Sequence, residues 1–131
     1  EAGDAAALNG RQLAPIAGDL PVGATNVTLG VAGPITVLGT CGSGGVSQPV
    51  TLSVRTSEAA SWRYVYDATS TWQDAAGSIS AGQQVAVVSN LLDRATGGFR
   101  ITVGERVFAG QFTVMYSPVG IGCFATGFIG G

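Results

Sequence analysis

The chain has no histidine and no lysine, and only 11% of its 131 residues are charged. Soluble proteins average about 25%. Without an imidazole there is no Ser-His-Asp triad, no Cys-His nucleophile pair and no histidine metal ligand. Without lysine there is no Schiff base, no Ser-Lys nucleophile and no P-loop lysine. Six arginines against eight carboxylates leave a net charge of −2. The basic footprint of a nucleic-acid-binding protein is therefore missing, and no motif calls for a cofactor or a metal.

Helical patterns are missing too. No segment of ten residues carries a convincing 3.6-residue apolar period, and there is no alternation of strand and helix. The 25 residues after Arg106 are uncharged and long enough to span a bilayer. They contain Gln111, Ser117-Pro118 and six glycines, and their apolar residues alternate as in a strand, so no membrane span is expected. The chain starts at Glu1 without a basic or apolar leader, which suggests a processed or excised form.

What is abundant is glycine, at 21 of 131 residues, or about 16% against a usual ~7%. Short apolar alternations lie between Gly, Pro and Ser clusters. Val27, Leu29 and Val31 share one face, and so do Ile35, Val37 and Cys41. Gly33-Pro34 marks a turn between these two segments. Val50, Leu52 and Val54 point inward from the next segment, with Thr51, Ser53 and Arg55 outward. Further strands are expected around Trp62–Tyr66, Gln84–Val88, Phe99–Val103, Arg106–Tyr116 and Ile121–Ile129. Gly104-Glu105 fits a two-residue type II′ hairpin turn. Asp67–Gly82 reads as a polar loop. Asn90–Gly98 reads as a loop with one helical turn at Leu91–Arg94. About eight strands at near-regular spacing predict an all-β fold, a single antiparallel β-sandwich or jelly-roll-like barrel over residues 26–131. Residues 1–25 read as an N-terminal arm or linker. A helical turn is expected from Asp4 to Gly10, and a proline-bearing loop follows through Pro15 and Pro21.

The two cysteines, Cys41 and Cys123, lie in apolar strand-like segments without CxxC spacing. They are expected to form one long-range disulfide, which points to an oxidising compartment. For a loop this long the entropy model gives about 4–5 kcal/mol.

Few residues suggest chemistry. Cys41-Gly42-Ser43-Gly44-Gly45 resembles the Gly-Asp-Ser-Gly-Gly loop of trypsin-like proteases, but Gly42 replaces the Asp and no histidine exists to take the serine proton. Asp67 and Asp74 are the one carboxylate pair near aromatics, as a glycosidase would need. Composition argues against an enzyme, and none is expected. Trp62, Tyr64, Tyr66 and Trp72 place four of the ten aromatics within eleven residues. Trp62, Tyr64 and Tyr66 share a strand face that suits a core, leaving Arg63, Val65 and Asp67 in water. Trp72 stands among polar residues and is expected to be exposed. It is the leading candidate for a ligand contact, with Trp62 and Tyr64 beside it.

Gly3-Asp4-Ala5-Ala6-Ala7-Leu8-Asn9-Gly10-Arg11-Gln12-Leu13 resembles the A-D-x-L-x-G segment of phage tail fibres and of secreted surface proteins from high-GC Gram-positive bacteria. Ala6 stands where that segment usually carries Asp. Gly122–Gly130 is similar to the ending of the small β domains that follow it. The resemblance implies an extracellular fibre, adhesin or structural module, often oligomeric, and carries no catalytic residues.

Two functional expectations result. The first is a non-catalytic structural or adhesive β module, secreted or on a cell or virion surface, that self-associates into a homo-oligomer or filament. Its basis is low charge, a mean hydropathy of +0.37 and strand edges without protective lysine. The second is a carbohydrate-binding module that meets a glycan or cell-surface partner through exposed aromatics. The charges outside the arm fall between Arg55 and Arg106, leaving neutral stretches of 35 residues before (20–54) and 25 after (107–131). A partner subunit is expected to dock on a face built from these two stretches.

Overall fold

The computed structural model describes residues 7–8, 11–43, 48–68, 71–116 and 122–131. Eleven strands run through them: β1 (Ala7–Leu8), β2 (Arg11–Leu20), β3 (Val27–Ala32), β4 (Ile35–Cys41), β5 (Val50–Thr56), β6 (Ala60–Ala68), β7 (Thr71–Ile79), β8 (Gln84–Leu91), β9 (Arg94–Val103), β10 (Arg106–Met115) and β11 (Cys123–Gly130). They form a seven-stranded sheet in the order β1-β2-β11-β10-β9-β6-β7 and a four-stranded sheet in the order β3-β4-β5-β8. Every pairing is antiparallel. The protein is thus an all-β sandwich of two open sheets, and the barrel alternative does not apply. No helix among the described residues is long and apolar enough to cross a membrane.

Alternation builds the sandwich. In β10, Phe108, Phe112 and Val114 are buried while Val107, Ala109 and Gln111 are exposed. Ile35, Val37 and Cys41 face the core from β4, and Val50, Leu52 and Val54 face it from β5. β9 and β10 are joined through Gly104-Glu105. Gly104 has φ +61°, and Glu105 is not among the positive-φ residues, as a type II′ turn requires. Gly33, at φ +55°, opens the matching turn between β3 and β4.

Four expectations are corrected. Residues 11–20 are not an arm. They form β2, which pairs with β11 from Leu13↔Gly130 to Leu20↔Cys123 and buries Ile16 and Leu20 completely. Pro15 is tolerated because β1 covers only Arg11 and Gln12, which leaves the rest of β2 with a neighbour on one side only. Ala7 and Leu8 are extended and paired to β2, so the helical turn does not form there. The remainder of Asp4–Gly10 lies outside the described residues. Residues 71–79 of the expected polar loop are β7, and the expected helical turn at Leu91–Arg94 is the bend between β8 and β9. Most of the glycine loop after Gly42 and the turn at Ser117–Gly120 lie outside the described residues.

The two sheets differ in width. At about 4.8 Å between strands, four strands span about 14 Å and seven about 29 Å. Cross-sheet packing runs from β3 to β2 and β11, from β5 to β10, and from β8 to β9. The β6–β7 hairpin therefore projects beyond the smaller sheet.

Cys41 on β4 and Cys123 on β11 are bridged, with Cα atoms 5.6 Å apart and a sequence separation of 82. The bond joins the two sheets, and with them the two neutral stretches. It is compatible with an oxidising environment.

Glycine has a specific use in the larger sheet. Four of its inner-face aromatics sit directly opposite glycines: Trp62↔Gly77, Tyr66↔Gly97, Phe99↔Gly110 and Phe112↔Gly127. A Cβ on Gly77 would lie 2.8 Å from the Trp62 ring, and one on Gly110 would enter the Phe99 ring. The missing side chain lets each ring lie over the neighbouring backbone.

Two stability outcomes are expected. Removing the bridge by Cys41→Ala with Cys123→Ala should cost about 2–5 kcal/mol, a large share of the ~5–15 kcal/mol of a typical domain. It would appear as a lower urea midpoint. Gly127→Ala should cost about 2–4 kcal/mol in the same assay. Gly127 has φ +153°, and its Cβ would fall 2.8 Å from the Phe112 Cα and against the Gln111 carbonyl.

Candidate functional site

The chemistry-bearing residues gather on the β6–β7 hairpin and the strand beside it, β9. β6 alternates without a break. Trp62, Tyr64 and Tyr66 are half-buried on the inner face, while Arg63, Val65 and Asp67 are exposed on the outer one. The inner three form a continuous ladder. Trp62 and Tyr64 stack with centroids 5.5 Å apart and planes 7° apart, and Tyr64 and Tyr66 are 6.0 Å and 28° apart. All three pack against the core. They finish the inner surface where the smaller sheet has stopped.

Trp72 is on the other side. Its register partner is Asp67, whereas Trp62 pairs with Gly77. Paired residues point to the same face and successive residues alternate, so Trp72 shares the outer face with Arg63, Val65 and Asp74. It is 70% exposed. The expected grouping of Trp72 with Trp62 and Tyr64 is therefore divided by the sheet, and the three do not make one platform.

Asp67 and Asp74 both lie on the outer face as diagonal neighbours. Arg63 donates to Asp74 Oδ2 at 3.1 Å. The pair is well exposed and contributes little to stability, but it occupies one of the two carboxylates a hydrolase would need. Among the described residues there is no group of three His, Cys, Asp or Glu side chains able to hold a metal ion.

Two features escape a reading along the sequence. The first is the outer edge of β7. It pairs with β6 over nine residues without a register shift, and no strand pairs with its other side among the described residues. The second is a groove of about 490 Å3 on the outer face of the larger sheet. Gly98 lies at its floor, with Val65 and Gln111 as register partners on either side. Phe128, the partner of Gln111, forms the far wall, and Arg63 and Arg100 stand at one end. These residues come from four strands, so only the strand register assembles them.

Burial raises the Tyr66 phenol above its ordinary value of 10.0, and the neighbouring Tyr64 adds to the shift. The unfolded chain therefore loses this proton first as the pH rises. The stability tied to the neutral phenol is complete below the unfolded value and is lost as the pH climbs through the folded one. Urea midpoints followed from about pH 8 to 11 should fall above about pH 10, and Tyr66→Phe should flatten that fall.

The chain matches no protein-family model, no curated protein and no solved structure at significance.

Proposed function

We propose that this domain is a non-catalytic structural or adhesive module of an extracellular assembly, and that it associates with copies of itself by strand pairing along β7. One observation carries the reading: β7 is a long, unprotected edge, nine residues without a register shift. Natural monomers blunt their edges with lysine, proline, bulges or short strands. Among the described residues, the other edges follow that rule. β1 has two residues, the stretch of β2 that β1 leaves uncovered carries Pro15 and Asp19, β3 carries a register shift, and β8 is irregular against β5 at two places. β7 has none of these devices. Its single charge, Asp74, is already held by Arg63. Trp72 stands beside the edge as a large exposed apolar group.

Antiparallel pairing of β7 with its counterpart is isologous, so it closes on a dimer with one continuous sheet. The backbone groups of the edge then find partners, and Trp72 leaves water. Further exposed apolar residues lie on the neutral stretches, including Val31 on β3 and Phe124 on β11. They suit contacts beyond the dimer. Secretion to a cell or virion surface agrees with the bridge, and the resemblance of residues 3–13 to fibre and surface proteins points the same way.

Light scattering tests this. The intact chain at micromolar concentration is expected to run as a dimer or larger. Gln73→Lys with Ala76→Lys, two exposed positions on the edge strand, is expected to give a monomer with the same circular-dichroism spectrum. A wild-type chain that is strictly monomeric, or a double variant that associates as the wild type does, would refute the proposal.

A further inference from the structure

We infer that the groove over Gly98 binds a monoanionic saccharide, a pyranose ring bearing a carboxylate. The charge arrangement is the first reason. Arg63 and Arg100 are direct register partners on β6 and β9. Like charges placed opposite each other across a strand pair repel. Here they account for two of the chain's six cations, in a protein whose net charge is −2. Asp74 compensates Arg63. Arg100 has no acidic partner among the described residues, so one positive charge stands uncompensated at the end of an open groove.

The other walls define the rest of the ligand. Phe128 is 43% exposed and Val65 40% exposed, which offers an apolar surface for the C–H face of a sugar ring. Gln111 is exposed between them, and its amide can both donate to and accept from ring hydroxyls. Gly98 keeps the floor low enough for the ring to settle. The volume of about 490 Å3 is within the ~300–1,000 Å3 of small-ligand sites. Arg100 then takes the carboxylate through its two-pronged guanidinium. A polyanion would need more positive charge than the groove holds, and a wholly apolar ligand would leave Arg100 and Gln111 unused.

The groove lies within one copy of the chain, so it is independent of pairing at β7. The test is a titration of the intact protein, followed by amide chemical shifts. Methyl galacturonoside, methyl glucuronoside and the methyl glycoside of N-acetylneuraminic acid are the acidic probes. Methyl galactoside is the neutral control and acetate the bare-anion control. At least one acidic glycoside is expected to shift the Gly98, Arg100 and Gln111 amides saturably. Methyl galactoside should bind about tenfold or more weaker. Arg100→Gln, at an exposed position, should keep the melting temperature and reduce the acidic glycoside to the affinity of the neutral one. Phe128→Ala should weaken both. The same titration on a Gln73→Lys protein, altered on the opposite face of the sheet as the register partner of Tyr66, should be unchanged, which separates this site from self-association. The inference is overturned if none of the three acidic probes saturates, if acetate binds as well as the glycosides, or if Arg100→Gln binds as the wild type does.

Discussion

A sheet of four strands cannot cover a sheet of seven, and much of this molecule is arranged around that mismatch. Where the sheets overlap, apolar alternation buries a core from Ile16 and Leu20 on β2 to Ile101 on β9. Where the smaller sheet ends, the larger one must complete its inner surface alone. It does so with the stacked rings of Trp62, Tyr64 and Tyr66. Their half-buried state follows from this position: they act as core on one side and as surface on the other. The free edge of β7 has the same origin, since no strand of the second layer reaches it.

The glycine content belongs to the same solution. Glycine within a strand weakens it by loss of side-chain packing and by extra chain entropy. Opposite an aromatic ring that cost is offset, because the ring covers the bare backbone and gains contact area. In the larger sheet the exchange recurs on β7, β9, β10 and β11, so large and small residues alternate across the strands. A composition that suggests flexible turns is, for these residues, the complement of four aromatic side chains.

The parts of the fold legible in the sequence are those with one face buried and one wet. β4, β5 and β10 announce themselves because burial of alternate residues forces apolar and polar positions to alternate. β7 gives no such signal: Trp72, Gln73, Asp74, Ala76 and Gly77 are all exposed, so neither face selects for apolar residues. β2 is hidden by Pro15, whose tolerance depends on how little of β2 is covered by β1. Gly97-Gly98 looks like the end of a helical turn, yet Gly97 makes room for Tyr66 and Gly98 floors the groove. The bridge between Cys41 and Cys123 was legible because two apolar strand segments each carried one cysteine. The side of the sheet on which Trp72 lies was not. It depends on the register of β6 against β7, and the exposed polar character of β7 conceals that a pairing exists. Arg100, Gln111 and Phe128 are far apart along the chain and become neighbours only through two successive pairings.

The position of the bridge also decides how the domain responds to being pulled. β2 and β11 are neighbours and antiparallel, and the start of β2 lies against the end of β11 at Leu13↔Gly130. Tension on the two flanks of the domain therefore opens this pair like a zipper, a few hydrogen bonds at a time, rather than shearing it. The opening runs toward Leu20↔Cys123 and there meets the covalent link to β4. Beyond that point the load passes directly from Cys41 to Cys123. The chain between them, which includes the open strand edge and both arginines of the groove, is excluded from the path of force, whereas Phe128, the groove's far wall on β11, is not.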